Sequence, residues 1–189
     1  MLSAHNISFS YGSQPVLQNL SFFLAKGDRL LLLGPSGQGK TTFLRLLCGL
    51  LEPQNGKIQR PSRLGVVFQE DRLLPALTLE ENLRLVNPDA ALAQQVGEEL
   101  GIFSLFSSLP SSLSGGQRRR GALARALLFP CDALLMDEPF QGLDEISRKQ
   151  AAQCILNHQE GRAVLVISHE PKDAELLKAH PIHLKSLMA

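Results

Sequence analysis

The sequence predicts an α/β layered domain built on a mostly parallel sheet. Three observations predict it. Apolar runs with the length of buried strands alternate with stretches of helical periodicity from residue 29 to the end. A glycine-rich loop joins the first of those strands to the first of those helices. The segment before them, 2–24, instead alternates apolar and polar residues with a period of two, the pattern of half-buried antiparallel strands.

Taken in order, Ile7, Phe9 and Tyr11 alternate with Ser8 and Ser10 in a first strand. Gly12, Ser13, Gln14 and Pro15 read as a turn, and 16–24 as a second strand. Lys26, Gly27 and Asp28 turn the chain into Arg29 and four successive leucines, apolar on both faces as a buried parallel strand requires. After the glycine-rich loop, 41–51 is helical, with Leu44, Leu47 and Leu51 on one face. Residues 64–68 form a short strand, and 80–109 hold helical segments bounded by Pro88 and Pro110. A helix over 117–128 turns Ala122, Leu123, Ala126 and Leu127 inward and stops before Pro130. A buried strand over 131–136, a helix over 144–158, a buried strand over 163–168 and a helix opened by Pro171 complete the reading. The 2–24 segment is expected to be a β subdomain. The 70–128 stretch is expected to be a helical insertion within one domain that spans 1–189.

Size and composition restrict the function. At 189 residues there is room for one domain. Charged residues are 20% of the chain and its formal net charge is +1, which gives no bulk attraction for nucleic acid, so no nucleic-acid partner is expected. Cys48, Cys131 and Cys154 show no CxxC or metal-finger spacing and read as reduced thiols of a cytoplasmic protein. No apolar run approaches the ~20 residues of a membrane helix, and the N-terminus lacks a charged, then apolar, secretory leader.

The glycine-rich loop carries the first chemistry. Gly34, Pro35, Ser36, Gly37, Gln38, Gly39, Lys40 and Thr41 fit G-x-x-x-x-G-K-[ST] between a buried strand and a helix. Glycines let backbone N–H groups turn inward around a polyphosphate, and the helix start at Lys40 adds a favourable dipole. Lys40 reaches the β- and γ-phosphates, the Thr41 hydroxyl suits Mg2+, and Thr42 falls on the α-phosphate side. No NKxD motif occurs, which weighs against guanine specificity.

Four apolar residues, 133–136, then deliver Asp137 and Glu138 to the end of a buried strand. Ligands bind at that edge in open α/β sheets. Asp137 suits Mg2+, and Glu138 is the candidate general base for the attacking water.

The most specific signal is Leu113, Ser114, Gly115, Gly116 and Gln117. A given pentapeptide arises by chance in about three of ten thousand chains of this length, at ordinary residue usage. Ser114 stands where a helix N-cap belongs, and the glycines leave N–H groups uncovered at the helix start, which makes a second anion site.

With these motifs in this order, the chain resembles the nucleotide-binding subunits of ATP-binding cassette (ABC) transporters over nearly its whole length. That resemblance implies a P-loop NTPase core with a mostly parallel sheet, an N-terminal antiparallel β subdomain and a small helical subdomain. It assigns the Walker A loop to Gly34 through Thr41, the Q-loop to Gln69, the LSGGQ signature to Leu113 through Gln117, Walker B to Asp137 and Glu138, the D-loop to Gly142, Leu143 and Asp144, and the switch histidine to His169. Tyr11 falls where the family stacks an aromatic ring on adenine. The resemblance implies that Gln69 contacts Mg2+ and the attacking water, that His169 contacts the γ-phosphate, and that Ser114, Gly115, Gly116 and Gln117 contact ATP bound by a second subunit. In this family's fold the phosphate loop and signature of one subunit do not meet on one nucleotide. Two chains, expected to form a homodimer, sandwich two ATP molecules head to tail.

The implied protein is an ATPase that powers transport through separate transmembrane permease subunits, peripheral on the inner face of the cell membrane. The stretch 67–78 is similar to importers of the nitrate, sulfonate and taurine group, which implies import of a small solute and a solute-binding protein as a further partner. The alternatives are an exporter motor, which uses the same parts, and a P-loop small-molecule kinase, which has no use for LSGGQ beside Asp137 and Glu138. Chromosome-type and translation-factor ABC proteins need coiled coils or a second cassette. The chain is short for the family, and no C-terminal regulatory domain is expected after His169. Gly142 stands where a small Ser or Ala is usual in the D-loop. Arg118, Arg119 and Arg120 point in three directions on a helix and are expected to serve salt bridges and packing.

Overall fold

The computed structural model of the chain describes residues 1–159 and 161–188. Eight strands and six helices follow in the order β1 (Leu2–Tyr11), β2 (Gln14–Leu24), β3 (Arg29–Leu33), α1 (Lys40–Leu47), β4 (Asn55–Gln59), β5 (Leu64–Val67), α2 (Leu79–Arg84), α3 (Ala90–Glu99), α4 (Gly115–Leu128), β6 (Ala133–Asp137), α5 (Glu145–His158), β7 (Ala163–Ser168), α6 (Asp173–Leu177) and β8 (His180–His183). Among the described residues, no helix is long and apolar enough to cross a membrane.

The contacts divide the chain into two compact units. The first combines Met1–Val66 and Cys131–Asp137 with the chain from Gly161 onward. It holds two sheets. In the smaller, β1 is flanked by β2 and β4, and both pairings are antiparallel. In the larger, the order is β5-β6-β7-β3-β8, with β3 parallel to both β7 and β8 and β6 parallel to β7. Every residue of β6 and β7 is buried, as the apolar runs 133–136 and 163–167 require, and each strand ends on a buried polar residue, Asp137 and Ser168. Leu31 and Leu32 of β3 and Phe43 of α1 are fully enclosed; burying each such side chain contributes about 1.5–3 kcal/mol.

The second unit combines Val67–Pro130 with the chain from Glu138 through α5. Helices α2, α3 and α4 pack on one another, and α5 packs on α3 and α4. Helices α2 to α5 all start on side-chain caps, and Asp89 caps α3 by accepting from Leu92 N–H at 3.0 Å. Thr78 with Glu81 closes a capping box on α2, Ser114 with Gln117 closes another on α4, and Asp144 caps α5. Gly121 lets α4 lie close to the 73–79 segment, because a Cβ there would sit 2.7 Å from Leu79 Cδ1.

The structure departs from the sequence reading at several places, among them β2, which begins at Gln14 inside the expected turn. Helix α1 ends at Leu47 rather than 51, because Gly49 takes φ +77° and Leu50 N–H donates back to Arg45 O at 2.9 Å, a glycine-terminated C-cap. Strands β4 and β8 were not expected; each lies at the edge of its sheet. Helix α6 is only five residues long.

Candidate functional site

Parallel pairing sets the first unit's site. Leu33 at the end of β3 pairs with Ser168 at the end of β7, and Asp137 at the end of β6 pairs with Ile167. The phosphate loop, Asp137 and His169 therefore leave the sheet at the same carboxyl edge, the ligand-binding edge of an open α/β sheet.

The loop between β3 and α1 needs its glycines. Gly34, Gly37 and Gly39 have φ of +152°, +81° and +93°. At Gly39, the residue before α1, a Cβ would also sit 2.6 Å from Val16 Cγ1. Pro35, Ser36 and Gly37 are exposed, while Gly34, Gln38 and Gly39 are half-buried. Lys40 is buried at 8% exposure, and its ammonium folds back into the loop. It donates to Gly34 O at 2.6 Å and Pro35 O at 2.9 Å. The Thr41 hydroxyl donates to Asp137 Oδ2 at 2.7 Å. Asp137 is 2% exposed, so this contact joins a buried carboxylate to the first turn of α1. A hydroxyl and a carboxylate side by side are hard oxygen donors of the kind Mg2+ takes. Thr42 is buried on the same helix.

Two further residues of this unit are exposed. Tyr11 ends β1 with its ring edge-on to Phe9 at 5.0 Å. His169 follows β7, with Nε2 3.6 Å from Glu170 Oε1. Its backbone is held in place because Ser168 Oγ donates to Asp173 Oδ2 at 2.6 Å and accepts from Glu170 N–H at 3.0 Å.

The second unit carries the remaining candidates. Ser114 caps α4, its hydroxyl accepting from Gln117 N–H at 3.3 Å while Gln117 Oε1 accepts from Ser114 N–H at 2.8 Å. Gly115 is exposed. Gly116 is half-buried, and a Cβ there would meet Gly142 O at 3.4 Å, an ordinary contact distance. Gly142 itself has φ +76°, which a Ser or Ala would adopt only with strain. Glu138 follows Asp137 directly and takes φ +49°, a left-handed conformation uncommon for a non-glycine residue. Its carbonyl accepts from Gln141 N–H at 3.1 Å. Gln69 is exposed in the bend after β5.

What holds the Gln69 bend escaped sequence reasoning. Arg119, 3% exposed, donates to Phe68 O at 2.6 Å and to Gln69 O, and its Nε lies 3.5 Å from Asp71 Oδ1. Arg118 donates to Leu113 O and pairs with Asp71 at 3.7 Å, and Arg120 donates to Leu100 O at 2.8 Å. The arginine run therefore serves salt bridges and packing, as expected. Beyond it, Asn82 is fully buried: Leu74 N–H donates to its Oδ1, and its Nδ2 donates to Leu74 O, Leu77 O and Thr78 O. Arg125 donates to Asn82 Oδ1 at 3.2 Å and to Arg72 O at 2.6 Å, and the Arg72 guanidinium lies 3.7 Å over the Phe68 ring. One signal was available: Asn82 stands between Leu79 and Leu83 on the buried face of α2, where only a satisfied polar group is tolerated.

Comparison with known proteins agrees with this geometry. Residues 17–141 match the family model described as ABC transporter. An aliphatic sulfonates import ATP-binding protein (SsuB) of Granulibacter bethesdensis is 39% identical over 182 residues, covering 94% of this chain and 76% of that protein. A taurine import ATP-binding protein (TauB) of Pseudomonas aeruginosa is 37% identical, with 93% and 75% covered. A dimeric ATP-binding cassette in a post-hydrolysis state, bound to ADP and Pi, matches with a TM-score of 0.86 at 25% identity, over 97% of this chain and 94% of that one. A phosphate loop closed by Thr41 and Asp137, a capped LSGGQ helix, and relatives of this closeness lead to one conclusion: the chain belongs to the ABC transporter family, as an ATP-binding and ATP-hydrolysing subunit.

Proposed function

We propose that this chain hydrolyses ATP to drive import of a small sulfonate-type anion through separate permease subunits, as one cassette extending over 1–189. The observation that carries the hydrolytic part is the 2.7 Å contact of Thr41 with Asp137 beneath the phosphate loop. Import and the sulfonate class are supported by the relatives' names and by the 67–78 segment.

In this reading the loop N–H groups from Gly34 to Thr41 bind the phosphates, and Lys40 exchanges the Gly34 and Pro35 carbonyls for β- and γ-phosphate oxygens. Thr41, Asp137 and Gln69 would hold Mg2+, which would supply positive charge to the bound phosphates. Glu138 orients the attacking water and accepts its proton. His169 and Gln69 contact the γ-phosphate and that water, and Tyr11 stacks on the adenine. Ser114, Gly115, Gly116 and Gln117 complete the site of a second copy, so the working form is a homodimer. ATP binding closes it and hydrolysis reopens it. The permease docks on the second unit, where exposed Phe103 lines a groove of about 410 Å³ together with Glu80, Arg84, Ala93 and Phe106. That docking makes the subunit peripheral on the cytoplasmic face, and an importer adds a solute-binding protein on the opposite side.

Two measurements test this. Phosphate release from ATP by the purified chain should fall at least ~100-fold in Lys40→Ala, the scale of losing one electrostatic contact to the transition state; unchanged turnover would remove the phosphate-loop assignment, and a phosphorylated acceptor in place of free phosphate would restore the kinase. Affinity purification from mildly solubilised membranes should bring down a multi-span permease with a solute-binding protein. A membrane partner alone means an exporter, and a purely soluble set removes transport.

A further inference from the structure

Away from the nucleotide motifs, the second unit gathers three side chains of metal-ligating type. Cys154 and His158 stand four residues apart on the buried face of α5, so they project from successive turns on one side. They meet Glu99, the last residue of α3. The Cys154 Sγ, His158 Nε2 and a Glu99 carboxylate oxygen all lie within 4.8 Å of one another, and His158 Nε2 is 3.0 Å from Glu99 Oε1. Cys154 is 1% exposed and His158 8%.

The geometry points to a divalent-cation site of the zinc class formed by Glu99, Cys154 and His158. Three features of the surroundings favour it. First, two helices end here, α3 at Glu99 and α5 at His158, so the partial negative charges of two C-termini converge. Helix α3 has no basic residue in its last turn, and the only one in the last turn of α5 is His158 itself. Second, the carboxylate is already oriented from behind, because Gln95 Nε2 donates to Oε1 at 3.1 Å and Asn157 Nδ2 to Oε2 at 3.1 Å. Such outer hydrogen bonds are what fix metal-ligating carboxylates. Third, the donor set suits the ion: thiolate, imidazole and carboxylate are the zinc trio, and the two anions match the charge of a divalent cation, so a filled site is electrically neutral in a buried place. Metal–donor bonds of roughly 2.0–2.3 Å place ligands of one ion roughly 3.5 Å apart, so a side-chain shift of about 1 Å closes the set.

Without metal the same cluster is a hydrogen-bonded patch. Burial and the neighbouring Glu99 push the Cys154 thiol far up, so it is protonated and bonded to that carboxylate. Burial alone would raise Glu99, but bonds from His158, Asn157 and Gln95 outweigh it and hold the carboxyl below its ordinary value. Metal binding breaks the S–H bond, forms the metal–thiolate bond and releases the proton to solvent. The fourth position is open to water.

The test uses the full chain, stripped with a chelator and free of nucleotide, titrated with Co2+ as an optical probe and then with Zn2+ against a chromophoric competitor. The expected result is one ion per chain with a near-ultraviolet thiolate-to-cobalt band, displaced by Zn2+. The band should vanish in Cys154→Ser, and affinity should fall at least tenfold in His158→Ala. A Cys48→Ser/Cys131→Ser double variant leaves α5 untouched and should keep the band, which leaves Cys154 as the thiolate donor. A cation held by Thr41 and Asp137 gives no thiolate band. Absence of the band in the unaltered chain, its persistence in Cys154→Ser, or its loss in the double variant would each overturn the site.

Discussion

Single residues show which roles the sequence reveals. Lys40, Thr41 and Asp137 were legible because their chemistry is written in short local motifs, and the structure joins Thr41 to Asp137 although 96 positions separate them. Arg119 was legible only as a packing arginine, because its acceptors, the Phe68 and Gln69 carbonyls, lie 51 and 50 positions away. Its planar fork spans two carbonyls while Nε faces Asp71. Truncation strands all three, so Arg119→Ala should cost about 2–4 kcal/mol in urea unfolding. Arg119→Lys should recover only part of that, since a point charge does not replace a two-donor fork. A cost below ~0.5 kcal/mol, the range of ordinary surface changes, would mean that Arg119 does not anchor the Gln69 bend. At Gly39 both φ and space exclude a side chain, so Gly39→Ala should destabilise by more than the roughly 1 kcal/mol of a strained backbone alone. An unchanged thermal midpoint would contradict that strain.

Helix caps and sheet edges are the informative features at the next scale. The Ser114 cap was readable because a serine before a glycine-led helix is a local pattern. Strands β4 and β8 were not, because edge strands need no continuous apolar face: β4 offers only Ile58 among Asn55, Gly56, Lys57 and Gln59, and β8 reads His-Pro-Ile-His. Only the neighbours β1 and β3 make them strands. Two equivalent caps allow a controlled comparison. Ser114→Ala and Thr78→Ala should each lose about 1 kcal/mol of stability, but only Ser114→Ala should weaken ATP-driven dimerisation; equal effects would reduce the signature serine to a cap. The caps also set acid sensitivity. The Thr78 backbone N–H holds the Glu81 carboxyl below the ordinary range, and the Ser147 backbone N–H does the same for Asp144. A carboxyl whose pKa is lower folded than unfolded stabilises above the unfolded value and loses that stabilisation as pH falls through the folded one. Stability should therefore be level from neutral pH to about 5 and decline below ~4. Asp144→Asn keeps a capping side chain but removes the titration, so its acid decline should be shallower. An identical decline would refute the assignment.

For the whole molecule, function depends on where the half-sites stand along one chain. The first unit carries the phosphate loop, Asp137 and His169; the second carries Ser114 through Gln117 and Gly142. A second copy lets each chain offer its signature to the other's nucleotide, which is the proposed working form. The fold class was legible because 133–136 in β6 and 163–167 in β7 read as unbroken apolar runs, whereas the use of two copies is not written in any local pattern and came only with the family resemblance. The most direct test is light scattering of Glu138→Gln, in which water activation is blocked but ATP contacts remain. The variant should be a monomer without nucleotide and a dimer with saturating ATP and Mg2+, and Ser114→Ala in the same background should shift it back toward monomer. A monomer at saturating ATP, with binding shown independently, would contradict the shared site.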